Sequence, residues 1–197
     1  RHYAWQSSRS KKPFTNPMQS CKAVQLYPSD IVVDIGAYIG EYSLFASRQV
    51  REVRSYEASP STFGVLRMNK KPNMQIFNAA VIGGNEPQVE LFLSDGIGAA
   101  NSIVKKKKDS VIVRAINYRD AVQGATVAKI DVEGAEYDYD IIQPNLRAII
   151  LEFHPISDNW EAAYKIMEDL RRHGFKPVYK VPQFKNGWDT NSAWIRR

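Results

Sequence analysis

The chain has 197 residues, of which 44% are hydrophobic and 24% are charged. This length fits one domain with a short extension, and the composition is ordinary for a globular protein, which excludes wholesale disorder and collagen-like repeats. The single cysteine, Cys21, cannot form a disulfide within the chain. No apolar run approaches the roughly 18 residues that a membrane span needs, and no signal-peptide pattern opens the sequence. We therefore expect a cytoplasmic protein without a membrane span.

The net charge of +6 comes from 27 basic and 21 acidic residues and is unevenly distributed. Residues 1–29 hold five basic residues and no acidic one, residues 171–197 hold seven basic residues against Asp189, and residues 30–170 are net acidic. Four lysines follow one another at positions 105–108. Such a run is most often a solvated loop, although clustered basic residues also favour an anionic partner such as nucleic acid.

The chain divides into an irregular beginning and a region of regular patterns. Residues 1–29 contain three prolines and no sustained period, which indicates a basic N-terminal arm with one short helix near residues 18–26. From residue 30 onward, apolar runs typical of buried strands alternate with helical patterns. The strands are predicted at 31–35, 53–57, 74–77, 127–132, 148–153, 175–180 and 192–196, and the helices at 39–48, 59–69, 135–142 and 160–173. This rhythm predicts an α/β domain over residues 30–197, with a mostly parallel seven-stranded sheet covered by helices on both faces.

One section departs from the alternation of strands and helices. Residues 88–93 and 111–116 both have the pattern of strands, and the link between them holds Gly96, Gly98 and the four lysines instead of a helix. We therefore expect an antiparallel hairpin insertion with a long tip.

A glycine-containing motif lies between the first strand and the first helix of this domain. Asp34, Gly36 and Gly40 follow the spacing D-x-G-x-x-x-G, which lacks the second and third glycines of a dinucleotide fingerprint. The negative charge of Asp34 before the loop disfavours a phosphate. It favours a cationic group at the end of the ligand, such as the amino group of an amino acid. Glu57 ends the second strand, where a carboxylate can accept hydrogen bonds from ribose hydroxyls. A ligand with a ribose, an aminoacyl end and no phosphate is S-adenosylmethionine, which we expect as the cofactor.

Several motifs together resemble the FkbM family of S-adenosylmethionine-dependent methyltransferases. They are residues 32–43 (VVDIGAYIGEYS), 56–60 (YEASP), 78–81 (NAAV), 129–136 (KIDVEGAE) and, more weakly, 150–153 (ILEF). The resemblance covers about residues 29–155 and implies a Rossmann-like class I methyltransferase fold. It also implies O-methyl transfer to a hydroxyl of a sugar-like or other small molecule. The family commonly has Glu-Pro after the second strand, whereas this chain has Glu57-Ala58-Ser59-Pro60.

The resemblance also implies a set of cofactor-binding residues. They are Asp34, Gly36, Ala37, Gly40, Glu57, Asn78, Ala79 and Asp131. The resemblance implies that Asp34, Gly36 and Gly40 line the methionine part. It also implies that Glu57 binds the ribose and that Asn78 and Ala79 lie against the adenine.

Charged residues along the strand over 127–132 predict where the acceptor binds. Lys129, Asp131 and Glu133 share one side while the strand lasts, and ionisable groups on a buried strand are costly unless they are paired or functional. We predict Asp131 near the transferred methyl group, Glu133 as an acceptor-binding residue or base, and Lys129 paired with one of them. Glu136 is interpreted as a charge that the N-terminus of the next helix favours.

His154 is the third predicted catalytic residue. It follows Glu152 at the end of the fifth parallel strand, where an imidazole can act as a general base or form a hydrogen bond in the turn before Pro155. Asp131, Glu133, Glu152 and His154 are also of the types that bind metals, but their spacing is not that of a tight metal motif. Methyl transfer from a sulfonium requires no metal, and we predict none.

Two other functions remain open at this stage. The basic ends and residues 105–108 are compatible with a nucleic-acid methyltransferase, although the sequence lacks an N-P-P-[YF] motif and a clear K-D-K-E arrangement. The domain is also compatible with a cofactor-binding module without catalytic activity. The oligomeric state does not follow from the sequence.

Overall fold

The computed structural model describes residues 18–94, 101–154, 160–180 and 191–196. The first half of the chain forms α1 (Met18–Ala23), β1 (Ile31–Ile35), α2 (Glu41–Ser47), β2 (Glu52–Glu57), α3 (Pro60–Asn69) and β3 (Met74–Asn78). The second half forms β4 (Ala80–Ile82), β5 (Gln88–Phe92), β6 (Ser110–Asn117), α4 (Tyr118–Ala121), β7 (Val127–Ile130), a 3-10 helix (Ala135–Asp138), β8 (Ala148–Glu152), α5 (Glu161–Arg172), β9 (Phe175–Tyr179) and β10 (Asn191–Arg196).

Seven strands form the main sheet in the order β3-β2-β1-β7-β8-β10-β9. The first five pair in parallel, and β10 pairs antiparallel with both β8 and β9. The chain runs from β1 outward to β3, and the sheet then continues from β7 on the other side of β1, so the strand order reverses between β1 and β7. The carboxyl ends of parallel strands form a crevice at such a reversal, which is where ligands bind in open α/β sheets.

Helices cover both faces of this sheet, as the sequence predicts. Alternate residues of β1 point in opposite directions. Val33 packs in the core cluster that also contains Ala163 and Met167 of α5, whereas Val32 packs in a second cluster with Ala46 of α2 and Leu66 of α3. The predicted mostly parallel seven-stranded sheet is therefore confirmed.

The predicted hairpin insertion is confirmed, with one addition. Strands β5 and β6 pair antiparallel, and the short strand β4 pairs in parallel with β6 to complete a three-stranded sheet. Ser102 lies in the link between β5 and β6 and forms an isolated bridge with Phe92. No pattern in the sequence separates β4 from β3, because only Ala79 lies between the two strands.

The helix predicted over residues 135–142 is wrong, since only the 3-10 helix over Ala135–Asp138 forms. Tyr139 is already extended, and its hydroxyl donates to the carbonyl of Val81 at 2.8 Å. The hydroxyl of Tyr118 donates to the carbonyl of Ile141 at 3.0 Å. These tertiary hydrogen bonds hold the segment in an extended form, and they override the local helical pattern.

The predicted division at residue 30 between an arm and a domain stays a prediction. Residues 1–17 lie outside the described part of the chain, as do Gly96, Gly98, Pro155 and the basic residue Lys185. Within residues 18–29, Cys21, Val24 and Leu26 are buried in the same core cluster as Val32. None of the helices in the described segments is long and apolar enough to cross a membrane.

Candidate cofactor and acceptor site

A cleft of about 300 Å³ opens at the carboxyl ends of β1, β2 and β7. This volume lies at the lower end of the range for small-molecule sites. Among the predicted site residues, those that line the cleft are Gly36, Ala37, Glu57, Ala79, Asp131 and Glu133. The other four, Asp34, Gly40, Asn78 and His154, lie next to lining residues or behind them.

The loop after β1 folds tightly over the end of β2. The backbone N–H groups of Gly36 and Ala37 both donate to the carbonyl of Tyr56, at 3.0 and 2.9 Å. Gly36 has a φ of 74°, and a Cβ atom there would lie 1.8 Å from the carbonyl oxygen of Asp131. A glycine is therefore required both by the backbone conformation and by the close approach of the chain after β7. Gly40, with a φ of 94°, precedes α2 as its N-cap.

Glu57 lies at the rim of this loop, with its carboxylate held by two backbone donors. Oε2 accepts from Tyr38 N–H at 2.9 Å, and Oε1 accepts from Ser59 N–H at 2.8 Å. Burial raises the pKa of Glu57 to about 7, although these two hydrogen bonds favour the ionised form. A buried carboxylate with this pKa at the edge of a cleft fits the predicted contact with ribose hydroxyls, which stays a prediction.

Asp34 lies behind the lining of the cleft and is fully buried. Its Oδ2 accepts from the Ser43 hydroxyl at 2.6 Å, and its Oδ1 forms an ion pair with Lys129 Nζ at 3.5 Å. The cation that Asp34 pairs with is thus the protein's own lysine. Direct contact between Asp34 and the amino group of a ligand stays a prediction.

Asn78 and Ala79 follow β3 and have different positions relative to the cleft. The amide of Asn78 donates to the carbonyls of Glu57 and Ala58, at 2.9 and 3.0 Å. It therefore ties the end of β3 to the end of β2, whereas Ala79 lines the cleft. The predicted adenine contact stays a prediction for both residues.

Lys129 connects the cofactor loop with the predicted acceptor end. Its Nζ donates to the carbonyl of Gly36 at 3.0 Å and to Asp131 Oδ2 at 3.1 Å. Burial alone would lower the pKa of Lys129, but the carboxylates of Asp131 and Asp34 outweigh burial and raise it. The predicted pairing of Lys129 with Asp131 is present, and Asp34 is a second partner that the sequence did not indicate.

Glu133 lies after the end of β7 in a left-handed backbone conformation, with a φ of 55°. Its carbonyl accepts from the Ser102 hydroxyl at 2.8 Å, and its Oε2 lies 3.3 Å from Lys105 Nζ. Both partners come from the link between β5 and β6. The first of the four consecutive lysines is therefore an ion-pair partner of a cleft residue, while Lys106 and Lys108 are exposed.

His154, the third predicted catalytic residue, lies next to the carboxylates at this end of the cleft. Its Nε2 lies 3.5 Å from Glu133 Oε1, 3.7 Å from Asp131 Oδ1 and 4.0 Å from Glu152 Oε1. Burial alone would lower the pKa of His154, but the adjacent Glu136 carboxylate, with those of Glu133 and Asp131, raises it to about 9. Burial and the Asp131 carboxylate raise the pKa of Glu152.

Sequence reasoning missed three contributions to this site. Glu136, interpreted as a charge at a helix start, is fully buried and contacts His154. Met18, Ser20 and Cys21 of α1 line the cleft, as do Asn101 and Ile103 of the hairpin link. No local signal marked Glu136, because it lies among other acidic residues between Asp131 and Asp140. The other contacts join residues that are far apart in the sequence.

One group of side chains in the described residues has the geometry to hold a metal ion. Asp131, Glu152 and His154 each offer one ligand atom, and these atoms lie within 4.8 Å of one another. Asp131, however, already has a cation in contact, since Lys129 Nζ donates to it at 3.1 Å. That the site acts without a metal stays a prediction.

Comparison with known proteins places the fold. No family model matches the sequence, and no curated protein matches it. The structure is similar to methyltransferase FkbM from Methylobacillus flagellatus, with a TM-score of 0.57 and 13% identity. The match covers 87% of this chain but 44% of that protein, so the chain spans less than half of its length.

A second solved structure matches over most of both chains. It is precorrin-6y C5,15-methyltransferase from Geobacter metallireducens, with a TM-score of 0.51 and 17% identity, covering 94% of this chain and 89% of that one. These two likenesses and the strand order β3-β2-β1-β7-β8-β10-β9 agree. The chain therefore has a Rossmann-like class I methyltransferase fold.

Proposed function

We propose that the protein is an S-adenosylmethionine-dependent methyltransferase that acts on a hydroxyl of a small, sugar-like acceptor. The observation that carries the proposal is the cleft between β1 and β7. Its wall combines a glycine loop pressed against the chain after β7, a buried carboxylate at Glu57 and a group of acidic residues at the far end. The similarity to two methyltransferases supports the reaction class.

The residues present fit this cofactor. At Gly36 the backbone has no side chain that would fill the loop, and Glu57 presents an acidic acceptor for two hydroxyl donors. The hydroxyl of Tyr42, also in the cleft wall, is buried without a hydrogen-bond partner among the described residues. A buried hydroxyl without a partner is costly, and a bound ligand can satisfy it.

The reaction requires little covalent chemistry from the protein. S-adenosylmethionine supplies, when bound, a methyl group that is already activated on a sulfonium. The side chains then have to orient the acceptor hydroxyl and accept its proton. Asp131 and Glu133 line the acceptor end of the cleft, and each is oriented by a lysine, Lys129 or Lys105. We assign the proton-accepting and acceptor-orienting roles to this pair of carboxylates.

Calorimetry with S-adenosylhomocysteine tests the cofactor assignment. We expect the wild-type protein to bind this product, and Glu57→Gln to weaken binding by about 10- to 100-fold, the loss expected for hydrogen bonds to a charged group. Glu168→Gln is a matched control, because the Glu168 side chain is 61% exposed on α5. Binding of neither S-adenosylmethionine nor S-adenosylhomocysteine to the wild-type protein would contradict the proposal.

A screen of methyl transfer from labelled cofactor to hydroxyl compounds tests the catalytic assignment. Once an acceptor is found, we expect Asp131→Asn and Glu133→Gln to lower kcat, and Glu133→Gln to leave the affinity for S-adenosylhomocysteine similar. Unchanged turnover in both variants would show that these carboxylates are not catalytic, even if the cofactor binds.

A further inference from the structure

Glu136 is an acidic side chain buried completely beneath the acceptor end of the cleft. Its Oε2 accepts from Gly134 N–H at 2.9 Å, and its Oε1 accepts from His154 N–H at 2.6 Å. The same Oε1 lies 3.4 Å from the imidazole Nδ1 of His154. Glu136 therefore holds the backbone of His154 by a hydrogen bond, and its carboxylate lies beside Nδ1 of the ring, which has no hydrogen-bond partner among the described residues.

The other edge of the ring faces the cleft residues. Three carboxylates approach Nε2 to within 3.5 to 4.0 Å, and they belong to Glu133, Asp131 and Glu152. All three line the cleft, whereas His154 does not. His154 thus lies between a buried carboxylate and the carboxylates that an acceptor would meet.

We propose that Glu136 and His154 are a pair of positioning residues, in which Glu136 holds the imidazole so that Nε2 anchors the carboxylates of Asp131, Glu133 and Glu152. The proposal rests on the function proposed above, and it assigns His154 a role other than that of a general base. In this arrangement the ring is an imidazolium, whose Nδ1 proton faces Glu136 and whose Nε2 proton faces the cleft carboxylates.

Charge balance explains why such a pair is needed. Ionised side chains this close repel one another strongly where solvent is scarce, unless cations lie among them. Lys129 contacts Asp131 and Lys105 contacts Glu133, and the imidazole is the group that contacts all three cleft carboxylates. An imidazolium at this point also offsets the cost of burying Glu136, which would otherwise be several kcal/mol for an isolated ion.

Nuclear magnetic resonance of the histidine rings tests the pair directly and requires no enzymatic activity. The chain has three histidines, so the ring signal of His154 can be assigned by its loss in His154→Gln. We expect the wild-type ring to titrate near pH 9 and to keep its last proton on Nδ1. Titration near the ordinary value of 6.5, or a final proton on Nε2, would overturn the proposal.

A matched pair of variants tests the role of Glu136. We expect Glu136→Gln to lower the titration midpoint of His154 by about one pH unit or more, because an opposite charge is removed. Glu168→Gln should leave it unchanged. An unchanged midpoint in a folded Glu136→Gln protein would overturn the proposal. If this variant does not fold, the titration midpoint and the tautomer of His154 in the wild-type protein still test the proposal.

Kinetics with the identified acceptor then separates this proposal from the proposed function. We expect His154→Gln to lower kcat about 10- to 100-fold, as a displaced group in a catalytic site does, with the affinity for S-adenosylhomocysteine unchanged. An unchanged kcat would overturn the positioning role. Failure of the wild-type protein to bind the cofactor would instead contradict the proposed function, while the ring titration would still test the contact with Glu136.

Discussion

The ammonium group of Lys129 lies 3.5 Å from the carboxylate of Asp34, which has no exposure to solvent. Lys129 itself is 14% exposed, and it also contacts Asp131 and the carbonyl of Gly36. One buried cation therefore joins the strands β1 and β7 at the point where the strand order reverses.

Replacement of Lys129 by methionine should destabilise the fold severely. Asp34 and Asp131 would lose the cation that both contact, and breaking a buried pair costs about 3–5 kcal/mol. Chemical unfolding followed by circular dichroism measures the change. Lys165→Met, at an exposed position of α5, is the control and should change the free energy of unfolding by less than about 0.5 kcal/mol. A loss of the same small size in Lys129→Met would contradict the structural role.

Gly36 and Gly124 provide a matched test of the cofactor loop. Their φ angles are 74° and 71°, but a Cβ atom at Gly124 meets nothing within 4 Å, whereas one at Gly36 meets the carbonyl of Asp131 at 1.8 Å. We expect Gly124→Ala to cost about 1–2 kcal/mol from backbone strain alone. Gly36→Ala should cost clearly more and abolish binding of S-adenosylhomocysteine. Equal losses of stability would show that the close approach at Gly36 is unimportant.

The pKa of Glu57, which burial raises to about 7, predicts how the cofactor affinity depends on pH. Ribose hydroxyls bind the ionised carboxylate better, so the affinity for S-adenosylhomocysteine should be constant above pH 7 and fall below it by up to about tenfold per pH unit. Without ligand, the same raised pKa makes the stability of the folded protein change with pH in the opposite direction. Since the folded state binds the proton more tightly than the unfolded state, the contribution of Glu57 to stability decreases as pH rises from 4.5 to about 7.

Calorimetry between pH 5.5 and 8.5 measures this dependence. In Glu57→Gln the affinity should be weaker and should lose the drop below pH 7, because the titrating group is absent. A pH dependence that persists unchanged in Glu57→Gln would assign it to another group.

The contacts of Ser102 indicate that the link between β5 and β6 holds Glu133 in place. Its hydroxyl donates to the carbonyl of Glu133 and accepts from the N–H groups of Val104 and Lys105, and the residue is buried. Ser102→Ala should cost about 1–3 kcal/mol, since these groups lose their partner, and should raise the KM for the acceptor. The control is Ser110→Ala, an exposed serine that bonds to Glu90 and should cost less. An unchanged KM would show that the link between β5 and β6 takes no part in acceptor binding.

Removal of metal ions should leave turnover unchanged. Lys129 already contacts Asp131, one of the three residues whose ligand atoms lie close enough together for an ion. Dialysis against a chelator before the assay, followed by addition of Mg²⁺ or Mn²⁺, measures the effect. Activity that disappears on dialysis and returns with either ion would contradict this prediction.

The elements that sequence reasoning predicted best are those with a strong local pattern. Strand β1 has the predicted bounds, and α3 starts at Pro60 after Ser59, whose hydroxyl accepts from Thr62 N–H as an N-cap. The apolar residues of β1 and the serine–proline pair determine structure within a few residues of their own positions. The position of Gly36 and Glu57 at the cleft could be predicted for the same reason, whereas their contacts with a ligand stay predictions.

The contacts around His154 could not be predicted, because they join elements that are distant in the sequence. Glu136 looks like an ordinary acidic residue at a helix start, yet the helix is a short 3-10 turn and the side chain is buried against β8. Similarly, the hydroxyl of Ser102 meets the carbonyl of Glu133, 31 positions away. Neither contact has a local signature.

The position of α1 has a practical consequence for protein production. Met18, Ser20 and Cys21 form part of the cleft wall, and the Ser20 hydroxyl contacts Asn191 of β10, which lines the same cleft. A shortened protein that starts at residue 30, where the sequence pattern becomes regular, would lose this wall and expose the core positions that Cys21 and Leu26 cover. Shortened versions intended for ligand screening should therefore retain residue 18 and those that follow it.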